Sequence, residues 1–182
     1  MSGDSALDRV RPLLRTRQVR EFTAEPPSEA ELEALTEVAR WSGSSRNSQP
    51  WRFIVIRDPA TIKSIHDLGV PQTRSLLTAR AAIAIVLGGD DGDLENAFDE
   101  GRAAERLLIA AGLLELAAGV AWIFPAVRPD VGRLLGLPAD RFVRTIVAVG
   151  HATDAAQRPK SAPGVARLPR SETVFSERWP QD

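Results

Sequence analysis

Apolar residues recur along this chain with two different periods, and the switches between them mark out its elements. Leu7, Val10, Leu13 and Leu14 form one stripe over residues 5–16, which predicts a first helix despite Pro12. Residues 17–22, Arg-Gln-Val-Arg-Glu-Phe, alternate as a strand does and stop before Pro26-Pro27. Ser28 with Glu31 has the form of a capping box, and it opens a helix whose Leu32, Leu35 and Val38 face inward. That helix ends near Gly43. Residues 51–56, rich in aromatic and β-branched side chains, predict a strand, and residues 60–68 predict a short helix after Asp58-Pro59. Residues 81–87 are continuously apolar, as in a strand buried on both faces, and Gly88-Gly89 closes them. Asp90 to Asp93 then read as an acidic flank to the next helix.

That next helix, predicted over Leu94 to Ala118, is the longest element and would run for roughly 37 Å. Its second half is apolar on nearly every face, so it has to be covered on nearly every face. A monomer of 182 residues can barely do so, and its Ala and Gly positions invite close approach of another helix. A homodimer with this helix near the interface is the expectation. Val120 to Phe124 predicts a strand, residues 130–135 a short helix ending at Gly136, and residues 141–149 a further strand. Beyond Ala152 the chain is rich in Pro, Arg and Ala, with Val174, Phe175 and Trp179 as apolar anchors. Residues 152–182 are expected to pack as an extension on a partner subunit. Helices and strands do not alternate strictly, so residues 1–182 read as a single α+β domain.

Composition narrows the chemistry. Charged residues are 26% and hydrophobic residues 43%, as in a globular protein, and a net charge of −1 argues against a nucleic-acid partner. There is no cysteine, and the two histidines, His66 and His151, lie far apart, which removes thiolate nucleophiles, disulfides and metal-ligand spacings. No G-x-S-x-G elbow or P-loop occurs. The cluster Gly88-Gly89-Asp90-Asp91-Gly92 lacks the Rossmann spacing and carries carboxylates where a phosphate would approach. Leu107 to Phe124 is apolar enough to be weighed as a membrane span, but Glu115 would sit inside it at a cost of ~2.5–3.5 kcal/mol. A buried helix followed by a strand fits better, with no membrane partner. The charged N-terminus lacks the apolar core of a signal peptide, so a cytoplasmic location is expected.

The candidate chemistry sits in residues 44–51, Ser-Ser-Arg-Asn-Ser-Gln-Pro-Trp, between a predicted helix and a predicted strand. Three hydroxyls, a guanidinium and two amides are followed by a rigid Pro and a large aromatic. Asn and Gln each offer donors and an acceptor, which suits a flat heterocycle whose edge alternates C=O and N–H. The same groups could also cap neighbouring backbone. Arg17, Arg20 and Arg167 lie at distant places, and arginine is suited to bidentate phosphate contact. A phosphate at one end and an amide-reading loop at the other describe a mononucleotide with a flat ring; solvated surface arginines are the plainer reading.

Four segments together resemble the nitroreductase family of FMN-dependent oxidoreductases. Residues 16–22, Thr-Arg-Gln-Val-Arg-Glu-Phe, resemble the family's opening Arg-x-Ser-x-Arg-x-Phe. Residues 44–51 resemble its Ser-Ser-x-Asn-x-Gln-Pro-Trp loop, the most specific match. Residues 99–111 resemble its central helix, and residues 144–151 with Arg167-Leu168-Pro169 its last strand and C-terminal basic contact. The resemblance implies a nitroreductase-like fold with a central mixed or antiparallel sheet flanked by helices, and a long central helix at a homodimer interface. It implies two FMN sites, each built from both chains. Arg17, Gln18, Arg20 and Arg167 would hold the phosphate and the pyrimidine end of the ring. Ser44, Ser45, Asn47 and Gln49 would line the site, with Gln72 and Arg74 as a further ring contact. The backbone from Ile123 to Pro125 falls where an amide meets the ring. No catalytic side chain is required, because FMN carries the hydride chemistry, with NAD(P)H as donor and a nitroaromatic, a quinone or a similar small molecule as acceptor. Thr16 and Gln18 depart from the opening motif, so the phosphate grip could shift to Arg15 or Arg17. Glu115 and Ala117 stand where glycines are expected, with Gly119 nearby. A flavin-binding or flavin-storing protein of the same fold with little turnover is the alternative.

Overall fold

The computed structural model describes residues 5–158 and 167–180. Four antiparallel strands form the sheet: β1 (Arg52–Ile56), β2 (Ala81–Gly88), β3 (Ala117–Trp122) and β4 (Arg141–Gly150), in the spatial order β1-β2-β4-β3. The two central strands, β2 and β4, are almost wholly buried, β2 as the run 81–87 predicts. Side chains alternate across them. Ile83, Ile85, Val147 and Val149 pack against α2 (Glu29–Arg40) and α4 (Leu94–Leu113). Ala82, Ala84, Ile146 and Ala148 face the other way, onto α3 (Pro59–Gly69), α5 (Arg128–Leu134) and residues 19–22. Three further helices, α1 (Ala6–Leu14), α6 (Asp154–Gln157) and α7 (Arg170–Thr173), lie at the ends of the chain.

Several helices begin where side-chain caps dictate. Ser5 with Asp8 and Ser28 with Glu31 both close capping boxes, Asp58 caps α3, and Asp93 caps α4. The expected helix over 94–118 is shorter, ending at Leu113, and the strand starts three residues earlier than expected, at Ala117. Between them the chain turns through Glu115 at φ +60°. The small residues 117–119 fit either element by pattern alone; tertiary packing decides. Residues 17–22 cross β3 there, and the Val19 N–H donates to the Ala118 carbonyl at 2.8 Å. A Cβ on Gly119 would collide with the Val19 carbonyl oxygen. That crossing segment is not a sheet strand as expected: it makes two isolated bridges, Gln18 to Ala118 and Phe22 to Ala152.

Of the helix faces, only the inward placing of Val38 needs correction. The α1 stripe of Leu7, Val10, Leu13 and Leu14 is exposed, and Val38 is partly so. The central helix α4 is covered on one face only, through Asp99, Glu100, Ala103, Leu107 and Ala111. Leu94, Phe98 and Leu113 stand in the open on the remainder. No other segment among the described residues covers these apolar side chains. In the tail, Phe175 and Trp179 meet edge to face at 4.8 Å, while Trp179 and Val174 stay exposed. Residues 159–166 and 181–182 of the expected extension lie outside the described residues. Among the described residues no helix is long and apolar enough to cross a membrane.

Candidate functional site

Extended backbone sends successive side chains to opposite sides, and residues 17–20 show the consequence. Gln18 and Arg20 line one cavity, about 430 Å³ in volume, together with Gln72, Arg74, Val120 and Trp122. Arg17 and Val19 face a second cavity of about 490 Å³ with Arg15, Thr16 and the end of α4. The Arg17 guanidinium donates to the Ala156 and Gln157 carbonyls at the end of α6. Arg17 and Arg20, paired by their closeness in sequence, are therefore separated by the strand-like backbone that joins them. Arg167 is exposed and is not among the described residues lining either cavity.

Gln72 and Arg74 are delivered by a tight loop after α3. The buried His66 ring contacts the Thr73 carbonyl through Nδ1 at 3.1 Å, and the Thr73 hydroxyl donates back to the His66 carbonyl at 2.8 Å. These reciprocal bonds, rather than any catalytic role, account for His66. Gly69 is required beneath them, since a Cβ there would run into the Thr73 side chain. The Gln72 carbonyl accepts from the Trp122 N–H at 3.4 Å, tying the loop to the free edge of β3. The Gln72 side-chain oxygen is buried and accepts no hydrogen bond among the described residues. Thr73→Val, which keeps shape but removes the donor, is expected to cost about 1–3 kcal/mol by stranding the buried His66 carbonyl. Urea unfolding monitored by tryptophan fluorescence checks this.

The loop 44–50 lies at the other edge of the sheet, where it leads into β1. Arg46, Asn47 and Gln49 all adopt positive φ, at 50°, 56° and 49°. Three non-glycine residues in that region within four positions mark stored strain, which concentrates at functional sites. Asp99, 1% exposed on α4, accepts the Ser45 N–H at 2.8 Å, and the Ser44 hydroxyl accepts the Gln49 N–H at 2.9 Å. Trp51 anchors the loop in the core, while Asn47 and Gln49 remain exposed. The Gln49 side-chain amide makes a 3.3 Å bond to the Asn47 carbonyl.

The sheet register shows how the two groups are related. Trp122 pairs with Thr145, Thr145 with Ile85, and Ile85 with Phe53, so the cavity and the root of the loop lie on one row across the sheet. Three strand spacings separate them, about 14 Å. Gln18, Arg20, Gln72 and Arg74 thus come together, and Ser44, Ser45, Asn47 and Gln49 come together, but not with each other.

One feature near β3 lies outside the sequence expectations. Arg144, Glu100 and Arg128 are buried, with an Arg144 Nε to Glu100 Oε2 distance of 2.7 Å. Arg128 pairs with Asp91, one of the residues read as a helix flank. A charged residue in a continuously buried strand, and another on the buried face of α4, were the available signals. Burial pushes the Glu100 carboxyl above the usual carboxylate range, outweighing its Thr145 and Arg144 contacts. With the folded value raised, this group's contribution to stability is complete below its ordinary value of 4.5 and is lost as pH rises through the raised one. Glu100→Gln is expected to flatten that part of the stability profile between pH 4 and neutrality, read as a smaller change in urea midpoint across the range.

Comparison with known proteins places the chain in a family. The family model described as the nitroreductase family matches residues 13–151. The chain is 27% identical over 147 residues to an Archaeoglobus fulgidus protein whose name places it, provisionally, among NADH dehydrogenase/NAD(P)H nitroreductases, covering 76% of this chain and 82% of that one. It is 32% identical over 94 residues to a Thermus thermophilus NADH dehydrogenase, covering 52% of this chain and 44% of the relative. Among solved structures, an FMN-dependent nitroreductase from Clostridium difficile R20291 superposes with a TM-score of 0.80 at 18% identity, covering 93% of this chain and 99% of that one. Nitroreductase A from Vibrio parahaemolyticus superposes at 0.78 and 20% identity, covering 94% and 77%.

Proposed function

The chain belongs to the nitroreductase family, and on that premise we propose that it is an FMN-dependent oxidoreductase of the cytoplasm. NAD(P)H and a small acceptor, a nitroaromatic or a quinone, take turns at one site in a ping-pong sequence. The observation that carries this reading is the cavity at the β3 edge. It joins two guanidiniums, two side-chain amides and an apolar wall of Val120 and Trp122. These groups fit a flat ring bearing an imide N–H and carbonyls, with a phosphate attached. Its volume lies within the range of roughly 300–1,000 Å³ usual for small-ligand pockets.

FMN, when bound, supplies the hydride chemistry. The protein's part is to bind and orient. Arg20 and Arg74 offer cations to the phosphate or to a ring carbonyl, Gln18 and Gln72 read the ring edge, and Trp122 shields a face from water. The strained loop offers Asn47 and Gln49, which one chain cannot bring to its own cavity. A second copy can. The exposed stripe on α1, the open face of α4 and the aromatic tail residues supply apolar surface for that homodimer, with residues 152–182 of the single domain packing on the partner.

Purified protein is expected to be yellow and to bleach on anaerobic addition of NADPH or NADH. Colourless protein that refuses added FMN would contradict the reading. Yellow protein that neither donor bleaches would favour flavin storage, a reading that Thr16 and Gln18 in the opening motif keep in view.

A further inference from the structure

Backbone polar groups at the end of β3 alternate in direction. The Trp122 N–H points out of the sheet edge, to the Gln72 carbonyl. The Ile123 N–H points inward, donating to the Arg144 carbonyl at 2.8 Å. The Ile123 carbonyl also points inward and accepts from Arg128 Nε at 3.1 Å. In a planar trans peptide the carbonyl and the following N–H are opposed, so the Phe124 N–H points out of the edge, in the same sense as the Trp122 N–H that meets Gln72. It has no hydrogen-bond acceptor among the described residues.

What holds that peptide is unusual for a loop. Arg128 is 8% exposed and pairs with Asp91, whose own carbonyl accepts from Arg144 Nη1 at 2.9 Å. Arg144 is fixed in turn by Glu100, and both guanidiniums lie near the Phe142 ring, 5.8 Å from its centroid for Arg128 and 5.6 Å for Arg144. Two like-charged arginines side by side in the interior are costly to retain. Holding one carbonyl is a modest structural return for that cost.

We propose that Arg128 is a positioning residue. Its clamp on the Ile123 carbonyl keeps the Phe124 N–H aimed at the ring bound in the β3-edge cavity. The inference rests on the flavin reading above. A ring nitrogen of FMN accepts a hydrogen bond when oxidised and carries hydrogen when reduced, so a fixed N–H donor discriminates between the two forms.

The test uses the full-length protein with Arg128→Met, which keeps much of the volume but no donor, and with Asp91→Asn, which loosens the guanidinium from its exposed side and spares the core. FMN is titrated by fluorescence quenching, oxidised and then dithionite-reduced, and the backbone order of the Phe124 amide is followed by NMR in the flavin-free protein. Arg128→Met is expected to weaken oxidised FMN roughly three- to tenfold more than reduced FMN, the worth of one hydrogen bond. Asp91→Asn should shift the same ratio by less, and the Phe124 amide should lose order in both variants without flavin. Equal weakening of both forms, or an unchanged ratio, would overturn the proposal, as would an amide equally ordered with and without the clamp. If Arg128→Met fails to fold, the Asp91→Asn ratio decides. Wild-type protein that takes up no FMN contradicts the flavin reading, and this inference with it, before any substitution is compared.

Discussion

Gly119→Ala is expected to lose about 3 kcal/mol of stability or more, beyond the usual cost of overpacking a core by one methyl group. The reason lies in what the new Cβ would meet. It would drive into the Val19 carbonyl oxygen and stand 3.1 Å from the Val19 carbonyl carbon and from Ser75 Cβ. A flexible side chain could swing away, but a carbonyl in a bridged segment moves only with its neighbours. The Val19 N–H is bonded to Ala118, and Gln18 and Arg20 on either side line the cavity. The variant should therefore lose flavin affinity along with stability. A urea titration followed by FMN binding on the folded fraction measures both, and a midpoint like that of the unmutated protein would mean residues 17–22 do not cross β3 this closely.

Arg20→Ala is expected to weaken FMN binding by about 10- to 150-fold, the worth of roughly 1.5–3 kcal/mol for a hydrogen bond to a charged group. Arg17→Ala is the informative partner experiment. The sequence motif pairs the two arginines, but Arg17 is directed to the Ala156 and Gln157 carbonyls on the other side of the crossing segment. Its removal should alter FMN affinity by no more than about threefold, in keeping with a group outside the binding cavity. Fluorescence quenching of FMN reports both. Comparable losses from the two substitutions would mean that the ligand reaches both sides of the crossing segment.

Much of the fold was legible because hydrophobic period and caps agree. The buried strand over 81–87, the capping box at Ser28 and Glu31, and the short helix after Asp58-Pro59 are all found where local pattern puts them. The misreadings share a cause. The end of α4 and the start of β3 consist of Leu, Ala and Gly, which fit either element, and the choice is made by residues 17–22 packing across them. The outer face of α4, expected from the sequence to need a second copy to cover it, is open in the single chain, as is the α1 stripe.

The candidate site was legible as residue types but not as an arrangement. Asn47 and Gln49 stand out by composition, and their positive φ values are visible only in three dimensions. The alternation that separates Arg17 from Arg20 follows from extended backbone and could have been drawn from the sequence. The buried network of Glu100, Arg144, Arg128 and Asp91 could not be assembled from sequence, because its four members come from α4, β4, α5 and the turn after β2. The charges of Arg144 inside a buried strand and of Glu100 on the buried face of α4 were its local signs.

On the proposed function, a complete flavin site takes its cavity from one copy and its loop from another. The direct test co-expresses two differently tagged variants, Arg20→Ala and the double variant Asn47→Gly with Gln49→Gly, glycine being chosen because it accepts the positive φ. Each homodimer should bind FMN poorly. In the isolated mixed dimer one site combines an intact cavity with an intact loop and the other combines both defects, so about one FMN per two chains is expected. A mixed dimer that binds no better than either variant alone would contradict a shared site.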